Sequence, residues 1–303
     1  FWLAGKNMAG VYLLAQISFV VTFWAMFTLA RSIVGAQHGV LAILLTLTIP
    51  AFSFPGVEFG PDVLARPLAA LTLLHYWRTI GEGRRSAWFA LSIEIALLLL
   101  TSMTGWLLVA LLACFALATP RGRAAFASTD PLYALVVIVV ILAPYLIWLF
   151  LPGSFAGLLP AWPSNAQILD HAKQWPVLIG AALMLLAGIV LVVAFNSGRF
   201  SKEPDEAPLI YRAEVDPFAR LFVYVFAAAP LIAMSLIAAF FGAAQVPGGG
   251  VLLLMCGLAV VLLGGDLIYL RQQRQLRLIW AAIVIAPALY IVGHIVVAPW
   301  LGG

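Results

Sequence analysis

The sequence predicts an all-α fold, a polytopic integral membrane bundle of about ten transmembrane helices. Three observations predict it. Hydrophobic residues make up 64% of the chain and charged residues only 9%, against about a quarter charged in a soluble domain. Ten apolar stretches can be drawn, near 9–30, 39–55, 61–77, 87–103, 105–119, 131–151, 177–196, 219–242, 249–270 and 278–300, most of them long enough for a hydrocarbon core of about 30 Å. Of the 16 lysines and arginines, 13 then fall on one side, and only Lys6, Arg66 and Lys173 on the other. Such a bias marks the first side as cytoplasmic. The runs are continuously apolar rather than alternating, which excludes a β-barrel. The net charge of +4 sits at helix ends as topology requires and gives no reason to invoke nucleic acid.

Each element has its own signals. The first helix carries Gln16 and Ser18 and ends at Leu29-Ala30-Arg31, with the arginine reaching the cytoplasmic interface. The second contains Thr46, Thr48 and Pro50; the carbonyl freed by the proline is expected to find a partner in the bundle. The third opens at Pro61-Asp62 and descends to His75 and Trp77-Arg78, before the basic turn Gly81 to Arg85. Glu94 lies in the fourth helix, about two turns from the cytoplasmic side, where an acid is costly unless protonated or paired. His75 on the antiparallel neighbour is the expected partner. Thr101 to Trp106 makes a tight second outward turn, and the fifth helix returns to Pro120-Arg121-Gly122-Arg123. The sixth starts at Asp130-Pro131, an N-cap acid and a first-turn proline.

Between 152 and 176, Trp162 and Trp175 suit a stretch lying on the outer leaflet, with Ser164 capping a short helix that ends near Gln174. Asp170, His171 and Lys173 lie in it as candidate substrate-binding residues, although adjacent helical residues diverge by about 100°. Residues 197–218 read as a mobile cytoplasmic linker, 219–303 as C-terminal transmembrane helices with Asp266 reaching water, and His294 as a packing or interfacial histidine. Cys114 and Cys256 fall inside helices and read as packing residues. The chain starts at Phe1 without a methionine and stops just after an apolar run, so a longer protein is expected.

The stretch that carries chemistry is Phe54 to Pro67. It holds Glu58, Asp62 and Arg66 between two apolar runs, with Asp62 in the first turn of a helix, where free N–H groups and the positive dipole end favour an anion. By topology it faces outward.

Leu29-Ala30-Arg31, Pro61-Asp62-Val63-Leu64, His75-Tyr76-Trp77-Arg78, Leu97 to Thr101, Pro120-Arg121-Gly122-Arg123 and Ala143 to Trp148 follow one another in that order. Together these landmarks resemble the membrane part of the GT-C glycosyltransferases, in particular bacterial proteins related to the dolichyl-phosphate-mannose protein mannosyltransferases and the lipid A aminoarabinose transferases. The resemblance runs from Gly5 to about Leu151 and makes 1–196 a GT-C-like core. It implies a multi-pass protein of the bacterial inner membrane with a periplasmic active face, moving a sugar from a polyprenyl-phosphate carrier to a glycan, lipid or protein acceptor. Asp62 and Glu58 would then be catalytic acids and Arg66 a phosphate ligand, with a divalent metal ion as a further candidate for the phosphate. Two departures matter. The main catalytic acid of such enzymes lies on the first outward loop, and this chain is expected to begin just after it. Thr104-Gly105-Trp106 also stands where the family often carries Lys-Gly-Pro, which removes a cation.

Two other functions fit the same sequence. Glu94, Asp266 and the proline-containing helices suit a lipid or small-molecule transporter, although no inverted repeat is visible. Thr104 in the lysine position suits a catalytically inactive family member acting as a structural subunit. The topology is tested by single cysteines labelled from outside. Positions in 56–62 and 152–176 should react and positions near Arg84 should not; outside labelling at Arg84 would overturn it.

Overall fold

The structure is a computed structural model that describes residues 9–53, 60–150, 163–196, 209–242 and 250–269, together with 278, 280–282, 285 and 289. Helix α1 spans Ala9–Val34 and ends at Gly35, whose φ of 83° turns the chain sharply into α2, Ala36–Leu47. Pro50 then starts the short α3, Pro50–Ser53. The carbonyl of Thr46, which would have bonded the missing N–H of Pro50, takes the N–H of Ile49 at 3.1 Å instead. A local 3₁₀-type bond therefore does what a neighbouring helix was expected to do.

Helix α4, Pro61–Tyr76, has proline in its first turn and Gly60 as an extended N-cap. It runs on into a π-helical turn, Trp77–Gly81, so the helical stretch carries through His75 and Arg78 as expected and ends where the basic turn begins. Helices α5, Ala87–Thr101, and α6, Met103–Ala118, are joined by the single extended residue Ser102. The hairpin is as tight as its spacing requires: an added Cβ on Gly105 would lie 2.6 Å from the Leu98 carbonyl. Helix α7, Pro120–Phe126, bends away from α6 by 100°, and Thr119 caps it by accepting from the N–H of Gly122. Helix α8 is Asp130–Leu149. Thr129, not Asp130, stands at its cap position; the Asp130 carboxylate takes a two-pronged bond from Arg85, at 2.7 and 2.9 Å, and so ties the basic turn to α8.

Helix α9 runs unbroken from Asn165 to Asn196 with Pro176 inside it. The expected short helix ending near Gln174 is thus the first part of a longer one. Ser164 does open it, accepting from Gln167 N–H while its own N–H donates to Gln167 Oε1, a capping box. At 1.5 Å per residue its 32 residues extend about 48 Å, well beyond a hydrocarbon core. After β1, Leu209–Tyr211, comes α10, Pro217–Phe241, capped by Asp216. A 3₁₀ turn, Val251–Leu253, α11, Cys256–Leu263, and β2, Leu267–Tyr269, follow. Strand β1 pairs antiparallel with β2, Leu209 opposite Tyr269, a small exception to the all-α expectation. The end of the expected linker is accordingly built: Arg212 is buried and bonds Asp266 Oδ1 through Nε at 2.9 Å, and Asp216 pairs with Arg121. Asp266 is 43% exposed, so it reaches water as expected and holds a cation as well.

Helix α4 lies between α1 and α5, α5 meets α8, α2 lies against α1 and α11, and α10 packs on α9 and α11. Ala65, Ala69, Ala70 and Thr72 of α4 are fully buried, small residues that let helices approach closely where apolar burial alone does not drive association. Near its far end Tyr76 donates to the Leu112 carbonyl at 2.9 Å and packs among Phe115, Phe222 and Phe226. Cys114 and Cys256 are free thiols. Among the described residues three helices are long and apolar enough to cross a membrane, Leu13–Val34, Asp130–Leu149 and Pro217–Phe241. Only Ala134 and Leu142 of α8 are buried, so the rest of that apolar surface suits contact with lipid. The apolar helices support a multi-pass membrane location.

Close packing gives a direct check. An added Cβ on Gly257 of α11 would overlap the Ala42 carbonyl and the Thr46 hydroxyl of α2, whereas one on Gly180 of α9 meets nothing. Gly257→Ala should destabilise by about 1–3 kcal/mol and Gly180→Ala should stabilise by up to about 1 kcal/mol, read as opposite shifts of the unfolding midpoint in detergent.

Candidate functional site

Both ends of α4 carry ionisable groups. At the N-terminal end, Asp62 lies in the first turn and Arg66 one turn further on, on the same helix face by their spacing. The turn between α5 and α6 closes over Asp62: Ser102 Oγ donates to Asp62 Oδ1 at 3.4 Å and lies 2.6 Å from Thr104 Oγ1. Ser102 has one hydroxyl proton, and it is directed at the carboxylate. Thr104 therefore donates to Ser102 through its hydroxyl, and its N–H points the same way at 3.3 Å. The result is a short chain of donors that ends on Asp62, with Thr104 fully buried behind it.

Arg66 is half-buried. Its guanidinium carbon lies 5.9 Å from the ring centre of Phe52, within cation–π range. Its Nε is buried without a hydrogen-bond partner among the described residues. Gly250, at the start of the turn before α11, lies against it. Glu58, the other expected acid, falls outside the described residues.

The remaining candidates form a separate group at the start of α9. Lys173 donates to Asp170 Oδ1 at 2.8 Å, with both side chains 68% exposed, and that bond holds the Asp170 carboxyl below the usual carboxylate range. His171 faces another way and donates from Nδ1 to the Phe240 carbonyl at 3.1 Å, joining α9 to the end of α10. Among the described residues Asp170 and Lys173 bond each other and His171 bonds α10, and none of the three is hydrogen-bonded to Asp62 or Arg66. No cluster of three or more His, Cys, Asp or Glu side chains suited to a metal ion occurs among the described residues.

At the other end of α4, His75 Nδ1 lies 2.7 Å from Glu94 Oε1, and Arg78 Nη1 lies 3.3 Å from His75 Nε2. Arginine can only donate, so Nε2 accepts and the ring proton sits on Nδ1, directed at the carboxylate. Glu94 is 8% exposed, and its expected partner is the one it has. Ser102, Phe52 and Gly250 were missed as site neighbours from sequence. Ser102 had a signal, the S-x-T step at the start of α6 on the same outward side as Asp62; Gly250 had none, because its role comes from a contact distant in sequence.

Residues 1–148 match the family model of the dolichyl-phosphate-mannose-protein mannosyltransferases. No curated protein matches the chain. The matched stretch includes Asp62, Arg66, Ser102 and Thr104, and also the Glu94–His75–Arg78 contacts. Glu94→Ala, which leaves the His75 N–H without an acceptor, should destabilise by about 1–3 kcal/mol. Glu94→Gln keeps an acceptor and should cost less. Thermal unfolding of the purified protein ranks the two, and wild-type stability in Glu94→Ala would remove this structural role.

Proposed function

With residues 1–148 falling in a family of GT-C membrane glycosyltransferases, we propose that this protein moves a sugar from a polyprenyl-phosphate carrier to an acceptor hydroxyl on the periplasmic side of a bacterial inner membrane. About ten spans bring Asp62, Arg66 and the 163–176 segment to that face. The observation that carries the proposal is the pairing of Asp62 with Arg66 one turn apart at a helix start, inside the matched stretch.

The chemistry needs two things there. The acceptor oxygen forms a bond to the sugar carbon and loses its proton, while the bond from that carbon to the phosphate oxygen breaks and the lipid phosphate leaves with the electron pair. A carboxylate serves the proton, and a cation serves the phosphate. Asp62 positions the acceptor hydroxyl or receives its proton, with the Ser102–Thr104 donor chain holding the carboxylate in place. Glu58, four residues earlier in the sequence, assists. Arg66 takes the phosphate, since a guanidinium offers a fork of donors to phosphate oxygens and its Nε has no partner among the described residues. Arg66 thereby supplies the positive charge that Thr104 lacks. Asp170, His171 and Lys173 line the outer surface toward the acceptor.

A divalent ion of the magnesium type is held by one or two carboxylates together with phosphate oxygens and waters. Asp62, in the first turn of α4, and Glu58 would hold it here, where it would help neutralise the leaving phosphate, and no step is assigned to it.

The test is transfer of labelled sugar from a polyprenyl-phosphate donor in membranes that contain the protein. Asp62→Asn keeps size and most hydrogen bonding and removes charge; loss of a positioned charged group of this kind commonly costs about 2.7–4 kcal/mol, or roughly 100- to 1000-fold in rate. Arg66→Ala should lose more than Arg66→Lys, because lysine keeps charge without the fork. Wild-type rates in both Asp62→Asn and Arg66→Ala would remove this end of α4 from the mechanism.

A further inference from the structure

The contact that fixes Arg66 comes from outside the family match. Gly250 stands so close that a Cβ built on it would lie 2.9 Å from Arg66 Nε, 3.4 Å from Cζ and 3.5 Å from Nη2. Its backbone has φ −61° and ψ −43°, a conformation open to any residue, so glycine is not needed there for the turn itself. It is needed for space. The residues that follow, Val251 to Met255, are each no more than 2% exposed, and the 3₁₀ turn they begin packs against α4, α6 and α10. The backbone at 250 is therefore anchored by a buried apolar run and has little room to retreat.

We infer that Gly250 is a positioning residue for the Arg66 guanidinium, and that the segment from 250 into α11 forms a wall of the phosphate subsite. This rests on the assignment of Arg66 to the phosphate. The C-terminal helices are then part of the catalytic unit and not an appendage to the matched region. The physics gives the inference a recognisable signature. When an added methyl group meets a planar group near the tip of a long side chain, the side chain moves and the fold does not. A Cβ at 250 should leave stability nearly unchanged and shift the guanidinium, and a displacement of about 1 Å at a reacting centre can cost on the order of 100-fold in rate.

The experiment is a double-mutant cycle on the complete protein, read as sugar transfer from a polyprenyl-phosphate donor, with the unfolding midpoint recorded for every variant. Gly250→Ala should lower transfer by about 10- to 100-fold with a midpoint close to wild type. In the Arg66→Ala background the same substitution should have no further effect, within about twofold, because the side chain through which it acts is gone. Phe52→Leu, which removes the ring contact to the same guanidinium, should show the same non-additivity and serves if Gly250→Ala does not fold. An equal loss in both backgrounds would overturn the inference, since a purely structural role acts whether or not Arg66 is present. A wild-type rate in Gly250→Ala together with a loss in Arg66→Ala would overturn the inference alone. A wild-type rate in Arg66→Ala would overturn the phosphate assignment itself, and the inference with it.

Discussion

A helix that carries a carboxylate and a guanidinium at one end, and a histidine and an arginine at the other, can cross an apolar bundle only if its middle packs closely enough to exclude both water and lipid from its neighbours. In α4 this constraint is met by Ala65, Ala69, Ala70 and Thr72, all fully buried between α1 and α5. Larger side chains there would hold the neighbours apart. Asp62 would then lose Ser102 and His75 would lose Glu94, since both partners lie on or just after α5. The two polar groups are thus consequences of one packing surface.

The same helix explains how the charges are balanced at each end. At the Tyr76 end the balance is internal: Glu94, His75 and Arg78 satisfy one another in a row, while the neighbouring Tyr76 and Trp77 join an aromatic cluster with Phe115, Phe218 and Phe222. At the Asp62 end the donor chain from Thr104 through Ser102 runs to Asp62, and Arg66 keeps a buried Nε without a partner among the described residues. A satisfied network suits structure. Buried donors without a partner among the described residues also occur at Trp77 Nε1, Arg212 Nη1 and Arg220 Nε, so it is the position of Arg66 one turn from Asp62 at a helix start, and not the open donor alone, that suits a site.

Much of this was legible in the sequence, for physical reasons that differ from element to element. The starts of α4 and α8 were marked by first-turn prolines, and the α5–α6 hairpin by the absence of enough residues for anything longer. The Asp62–Arg66 pair was legible because four residues make one helical turn, and the Glu94–His75 contact because an unpaired acid in an apolar helix needs a partner on the neighbour. Pro176 and Pro50 misled in opposite ways. The first did not end α9, and the second had its freed carbonyl satisfied locally by Ile49. The β1–β2 pairing, the Arg212–Asp266 bond and the seat of Arg66 on Gly250 join residues far apart in sequence, and no local propensity encodes such contacts.

The β1–β2 ribbon has a further consequence. A two-stranded ribbon has two open edges, and peptide groups on an open edge require water or protein partners that lipid tails do not provide. The ribbon at Leu209–Tyr211 and Leu267–Tyr269 therefore suits a place where water or protein meets its edges and lipid does not, at the level where α10 begins and α11 has ended. Arg212, buried next to it, is then enclosed by protein at a wet boundary, where a guanidinium can be held without any charge entering the oil.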